Sequence, residues 1–267
     1  MSVTIHPTAI VHPKAELGTN IKIGPYVIIE EKAIIGDNCT IDAFAQIKSF
    51  TQLGQNNHVF SYAFVGEIPQ DLKFAGEETW LIVGDNNKIR EYTTLHRGTA
   101  EGGGKTQVGS NCLFMAYTHV AHDCLIGDNV IMANCATLGG HVQVDNYAVI
   151  GGLSAVHQFV HIGEHVFIGG KTGVAQDVPP YMLVAGERAK AFGPNIIGLK
   201  RKGFSKEEIQ ALKKASHLLW QANLSQKEAL QQILNNFGQY QSIVKLVNFV
   251  QNSKRGIISF SKDKCVG

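Results

Sequence analysis

Charged residues are scarce. They make up 17% of the 267 residues, against roughly 25% in an average soluble domain. The net charge of +2 gives no basic footprint for nucleic acid. Proline is sparse at 7 residues. The five cysteines form no C-x-x-C pair, which excludes a zinc ribbon and a thioredoxin-like centre. No apolar run approaches the ~18 residues of a membrane span. The opening Met1-Ser2-Val3-Thr4-Ile5-His6 lacks the basic and apolar regions of a signal peptide, so a cytoplasmic protein with reduced thiols is expected. Hydrophobic residues, at 44%, suffice for a core and argue against disorder.

What is abundant is unevenly placed. Twenty-three of the 28 glycines and ten of the eleven histidines precede residue 198, and such a skew calls for a repeat search. Every sixth residue from Ile5 is aliphatic: Val11, Leu17, Ile23, Ile29, Ile35, Ile41, Ile47, Leu53, Val59 and Val65 follow in turn. At a ~45% apolar background, such a run arises by chance on the order of once in several thousand tries. The phase skips two hexads and resumes at Val83, Ile89 and Leu95; a second break shifts it by one residue, and it continues from Val108 to Val174. A six-residue period fits neither an amphipathic helix nor an alternating strand, and a β-sandwich has no reason to hold it. It fits a parallel β-helix, one short strand and one turn per hexapeptide, three hexapeptides per 18-residue coil. Glycine and asparagine supply turn positions that need positive φ or little bulk.

Two segments leave this pattern, 66–82 and 98–107, and both read as functional loops. After Pro179-Pro180 the pattern ends. Ser205-x-x-Glu208 and Ser225-x-x-Glu228 read as capping boxes ahead of amphipathic helices. The domains expected are a β-helix over 1–187 and a helical domain over 188–267.

An 18-residue coil places residues in space. His122 and Gly140 share a column, as do Asp123 and His141. His119 precedes His122 by three residues, His157 follows one coil on, and His96 falls on the same side. Four histidines thus gather along one edge beside Gly139-Gly140. Three readings fit. Histidines decorate a solvated corner; they hold a metal; or one is a general base with positioning partners, since imidazole has the intrinsic pKa to deprotonate a hydroxyl near neutrality. Asp123 orients His122 if a turn brings the two adjacent side chains to one face. The Gly140 N–H, unobstructed, suits an oxyanion. No spacing distinctive of a metal is present, and neither metal nor cofactor is expected. Cys112, Cys124 and Cys135 suit small buried positions rather than a nucleophile.

His119-Val120-Ala121-His122-Asp123-Cys124, Gln70-Asp71-Leu72-Lys73, His96-Arg97-Gly98-Thr99, Gly102-Gly103-Gly104, the run 173–180 and Gly198-Leu199-Lys200-Arg201-Lys202-Gly203-Phe204 carry a resemblance. Together they are similar to the UDP-N-acetylglucosamine O-acyltransferase family across essentially the whole chain. The resemblance implies a left-handed parallel β-helix with a C-terminal α-helical domain, assembled as a homotrimer with sites between subunits. It implies transfer of an (R)-3-hydroxyacyl group from acyl carrier protein to the glucosamine 3-OH of UDP-N-acetylglucosamine, the first step of lipid A synthesis. In that likeness His122 is the base, Asp123 its partner and Gly140 the oxyanion donor. Asp71, Lys73, His119 and His141 contact the sugar and phosphate region; His157, Gln158, Asn195 and Arg201 bind the nucleotide; Gly170 is the acyl-chain ruler, its lack of a side chain predicting a longer donor. Ile197 and Lys202 depart from the family pattern on the nucleotide side, and Lys171 follows the ruler. The alternatives are the later N-acyltransferase of the same pathway, whose extra N-terminal domain has no counterpart before Ile5, an enzyme using a 3-amino sugar nucleotide, and a non-enzymatic carrier-binding scaffold.

Overall fold

The computed structural model describes residues 3–261. Two-residue strands recur every six residues from Thr4–Ile5 to Gly173–Val174, lengthening to three or four residues beside the loops. With the strands that follow, they stack into three sheets of 11, 9 and 8 strands, parallel except for the last strand of the largest, the faces of a left-handed triangular prism. We number the faces in the order the chain first visits them, through Thr4–Ile5, Ile10–Val11 and Glu16–Leu17. The first edge joins faces one and two, the second edge faces two and three, and the third edge faces three and one.

Beyond the first coil, whose Val3 and Ile5 are exposed, each hexapeptide buries two side chains. The aliphatic residue that closes each strand points inward, and so does the smaller residue two positions before it: Val27 with Ile29, Cys39 with Ile41, Ala136 with Leu138, Val142 with Val144. Polar residues in the smaller column find partners inside. Asn57 donates to the carbonyls of Gly54 and Gly84 at 2.9 and 2.8 Å, and Asn87 to those of Gly84 and Gly109, both at 3.1 Å. Cys39, Cys112 and Cys124 use the same column, each thiol 3.2 Å from a glycine carbonyl of the next coil.

Positive φ and little bulk, the two demands of the turns, fall on different residues. The left-handed corner residue, three before each inward aliphatic, is never glycine. It is Asn20, Asn38, Asn56, Tyr62, Asp123, His141 or another side chain, with φ near 60°. Most coil glycines are required by close approach: a Cβ on Gly36 would lie 2.7 Å from the backbone of Gly54. Corner residues stack coil upon coil. Tyr26, Phe44, Tyr62, Tyr92 and Tyr117 form an exposed ladder on the first edge with ring centroids 4.9 to 5.1 Å apart, close to the inter-strand spacing of roughly 4.8 Å.

Both irregular segments leave from the second edge. One lies between strands Phe64–Glu67 and Trp80–Val83, the other between Thr94–His96 and Lys105–Val108. Coil partners, ordinarily 18 residues apart, are 30 apart across the first and 25 across the second, so two hexads, then seven residues, are added without loss of register. The strands reach into both segments.

Beyond the prism, strand Lys190–Pro194 pairs antiparallel with Met182–Ala185. Four helices follow: α1 (Ile196–Arg201), α2 (Lys206–Trp220), α3 (Gln226–Phe237) and α4 (Gln241–Asn252). Ser205 caps α2 through its side chain, and Ser225 with Glu228 forms a full capping box on α3. Among the described residues no helix is long and apolar enough to cross a membrane.

Candidate active site

The second edge carries the histidines. Asp123 sits at its corner with φ 60°. That left-handed turn brings it to the same side as His122, which a straight strand would not do. His122 Nδ1 lies 2.8 Å from Asp123 Oδ2. The Asp123 side chain is only 1% exposed. Thr99 holds it from the second loop, its N–H donating to Oδ1 at 2.8 Å and its hydroxyl to Oδ2 at 2.7 Å. From the interior, Thr106 Oγ1 accepts the Asp123 N–H at 2.7 Å. Gly102 packs so tightly on the carboxylate that a Cβ there would overlap it. With Nδ1 engaged by a carboxylate, which only accepts, the His122 proton resides on Nδ1 and Nε2 keeps its lone pair.

Gly140 lies against the other side of the ring. A Cβ on it would fall 2.6 Å from His122 Cε1 and 2.8 Å from Nε2. Its N–H donates to no acceptor among the described residues, so it is free for a ligand. His141 stands perpendicular to His122 at 5.2 Å and stacks on Phe159 at 4.4 Å. Ligand atoms of His122, Asp123 and His141 fall within 4.8 Å of one another. The donor set suits a metal poorly, because both carboxylate oxygens already accept hydrogen bonds from Thr99 and His122.

His119 adjoins this group. Its Nδ1 meets Thr94 Oγ1 at 2.7 Å, and its ring stands edge-on to His96 at 5.0 Å. Burial, with His96 and His122 nearby, lowers its pKa to about 4; burial lowers that of His96 as well. Both rings stay neutral near pH 7. The folded chain therefore binds fewer protons than the unfolded chain below the free-histidine pKa near 6.5. Stability should fall as pH drops from about 6.5 toward 4, and His119→Gln should flatten that slope in thermal melts across the range. An unchanged slope would put the proton linkage elsewhere. The Cys124 thiol, beside Asp123, is pushed up to about 12 by burial and supplies no thiolate.

The remaining residues of interest lie at graded distances. Asp71 accepts the Lys73 N–H at 3.0 Å in the first loop, and Lys73 Nζ reaches Glu101 of the second loop at 3.2 Å, so the two loops meet over the second edge. His157 and Gln158 lie on that edge one coil beyond Gly140, where Phe159 N donates to Gly140 O at 3.0 Å. A cavity of about 530 Å³ between face three and α4 touches the edge only through Phe159 and Arg255.

Three residues are elsewhere. Asn195 caps α1, accepting the Gly198 N–H at 3.1 Å, and donates to His165 O at 3.1 Å on the third edge. Arg201 ends that helix, and the neighbouring Lys202 lies over Tyr147 of the third edge. Ile197 is exposed. Gly170 is on the first edge; the left-handed residue there is Lys171, and a Cβ on Gly170 would meet only Gly152 O, at 3.3 Å. The backbone does not demand glycine at this position. Sequence reasoning named Thr99 and Gly102 only within motifs and passed over Thr106. The available signal was a threonine in the inward small column, two residues before Val108.

Hexapeptide coils carrying a His–Asp pair beside a free backbone N–H define a hexapeptide-repeat acyltransferase. The bacterial transferase hexapeptide model matches residues 105–140, and the second-domain model of UDP-N-acetylglucosamine O-acyltransferase matches 177–258. The acyl-(acyl-carrier-protein)–UDP-N-acetylglucosamine O-acyltransferase of Myxococcus xanthus is 54% identical over 253 residues, 95% of this chain and 98% of that one. Its namesake from Aliarcobacter butzleri is 49% identical over 95% and 97%. Among solved structures, the UDP-N-acetylglucosamine acyltransferase of Bacteroides fragilis superposes with a TM-score of 0.92 at 41% identity, covering 96% of this chain and 100% of that one. The chain belongs to the UDP-N-acetylglucosamine O-acyltransferase family.

Proposed function

We propose that the chain transfers an (R)-3-hydroxyacyl group from acyl carrier protein to the glucosamine 3-OH of UDP-N-acetylglucosamine, opening lipid A synthesis in the cytoplasm. The observation that carries the chemistry is the 2.8 Å contact from His122 Nδ1 to Asp123 Oδ2, on a carboxylate already fixed by Thr99. His122 Nε2 takes the hydroxyl proton as the oxygen attacks the thioester carbonyl. The tetrahedral oxyanion accepts the Gly140 N–H. As the C–S bond breaks, the imidazolium returns its proton to the departing thiolate, so no cofactor is required. His119, His141, Asp71 and Lys73 flank this point and suit the sugar and its phosphates.

Asn195, Arg201 and Gly170 sit on edges other than that of His122. A single chain leaves them apart; a homotrimer with its prisms side by side lets the second edge of one copy meet another edge of the next. We infer such an assembly, with His157, Gln158, Asn195 and Arg201 closing on the nucleotide and Gly170 on the acyl tail.

The test is mass spectrometry of products formed from UDP-N-acetylglucosamine with a ladder of hydroxyacyl carrier proteins. Transfer of one hydroxyacyl group as an ester is expected. An amide product, or none, would overturn the reading. Since Gly170 has no left-handed φ and a Cβ there would press only on Gly152 O, at 3.3 Å, Gly170→Met should shift the preferred donor to a shorter chain in the same assay. An unchanged preference would remove Gly170 from the acyl site.

A further inference from the structure

The end of the chain returns from α4 to the prism. Asp177 and Ile257 form a parallel bridge, with Asp177 N donating to Gly256 O and Ile258 N to Asp177 O, both at 3.0 Å. Ser253 Oγ donates to the Asp177 carboxylate at 2.6 Å. This return delivers Arg255 to the second edge. Its guanidinium is pinned on Ala175 O, through Nε at 3.3 Å and Nη2 at 3.1 Å. From there Nη2 reaches His157 Nδ1 at 3.4 Å.

A guanidinium has donors and no acceptor, so this contact uses the lone pair of Nδ1. The same nitrogen lies 3.1 Å from Gln158 O, a contact that forms only if Nδ1 carries a hydrogen. The two contacts demand opposite states of the ring. A cation anchored independently by Ala175 decides between them. We propose that Arg255 is a positioning residue that holds His157 in the tautomer with its hydrogen on Nε2. Among the described residues no protein group meets Nε2. A donor at that nitrogen suits the oxygen-rich part of a nucleoside diphosphate, a phosphate oxygen or a ribose hydroxyl; an acceptor there would repel the phosphate. The inference rests on the reading of His157 as a nucleotide contact. It gives the C-terminal segment a part in substrate recognition that no motif in that segment signals.

The experiment combines ring spectroscopy with kinetics. Long-range proton–nitrogen correlations of protein labelled at histidine report the tautomer, with the His157 signals assigned by their loss in His157→Gln. The wild-type protein should show Nε2–H. Arg255→Gln should move His157 toward Nδ1–H and raise KM for UDP-N-acetylglucosamine about tenfold with kcat changed less than about twofold. Arg255→Lys, which keeps a cation but not the fork, should recover part of the KM and guards against a displaced tail in the glutamine variant. Retention in Arg255→Gln of either the Nε2–H pattern or the wild-type KM, with His157→Gln impaired, overturns the proposal. If His157→Gln itself leaves KM unchanged, the nucleotide reading of His157 fails first, and the role of Arg255 with it.

Discussion

Replacing His122 with alanine should lower kcat by about 10²- to 10⁴-fold, measured as product formed at saturating UDP-N-acetylglucosamine and acyl carrier protein. The proton on the 3-OH would then lose the imidazole that Asp123 orients. Of the two neighbouring imidazoles, His119 has its Nδ1 engaged by Thr94 at 2.7 Å and a pKa near 4, which makes it a poor acceptor, and His141 is stacked on Phe159 with its ring perpendicular to the place of His122. The loss should fall on kcat rather than on KM, because the sugar and nucleotide contacts remain. It should not fall on folding. The ring lies outside the prism interior, and Asp123 keeps both hydrogen bonds from Thr99. A variant with unchanged melting temperature and near-normal turnover would sink the base assignment. The same variant tests the shared site. Co-expressed with Arg201→Ala chains, His122→Ala chains should regain part of the activity, since some mixed assemblies then pair an intact His122 from one copy with an intact Arg201 from another. Two inactive homogeneous preparations with no gain on mixing would argue that each chain builds its site alone.

The prism could be read from the sequence because a six-residue period constrains every coil in the same way. Ile23, Ile41 and Val59 point inward for one reason, so one rule places them all. The same arithmetic brought His122, Gly140 and His157 to a common edge. It could not say how Asp123 faces, since that depends on a left-handed corner that Asn, Tyr, His and Asp all adopt in this chain. Nor did periodicity assign the two turn demands correctly between residue types. Asn38 takes the positive φ, while Gly36 is glycine because the next coil leaves no room for a Cβ. Thr99 and Gly102 were legible only as parts of motifs, because their position over Asp123 is set by where a seven-residue insertion folds back. Arg255 was beyond reach altogether. It meets His157 across 98 residues through a tail whose course follows from its docking beside Asp177, not from any local pattern.

Asp123→Asn should lower kcat by about 10³-fold or more, and the reason separates orientation from mere loss of charge. Asparagine has the shape of aspartate and readily takes the left-handed φ of this corner, so the backbone should not move. Its amide has one acceptor and one donor where the carboxylate has two acceptors. Thr99 N–H cannot turn away, so the amide oxygen takes the place of Oδ1 in front of it. The NH₂ then faces the Thr99 hydroxyl, which can rotate to accept, and His122 Nδ1, which must accept as well. The His122 hydrogen is driven to Nε2, and the base has no lone pair for the sugar hydroxyl. The opposite flip sets two donors head to head in a buried site, at a cost of about 1–3 kcal/mol. Asp123→Ala behaves differently. It leaves His122 free to sample both tautomers but strands the buried Thr99 N–H and places alanine at a left-handed φ, so stability should fall by about 1–3 kcal/mol. Per folded molecule, the alanine variant should therefore turn over at least as fast as the asparagine variant, while melting lower. An asparagine variant of near-normal kcat would reduce Asp123 to a clamp for the second loop. An alanine variant slower than the asparagine one at equal folded fraction would show that the carboxylate acts through its placement of Thr99 rather than through the tautomer of His122.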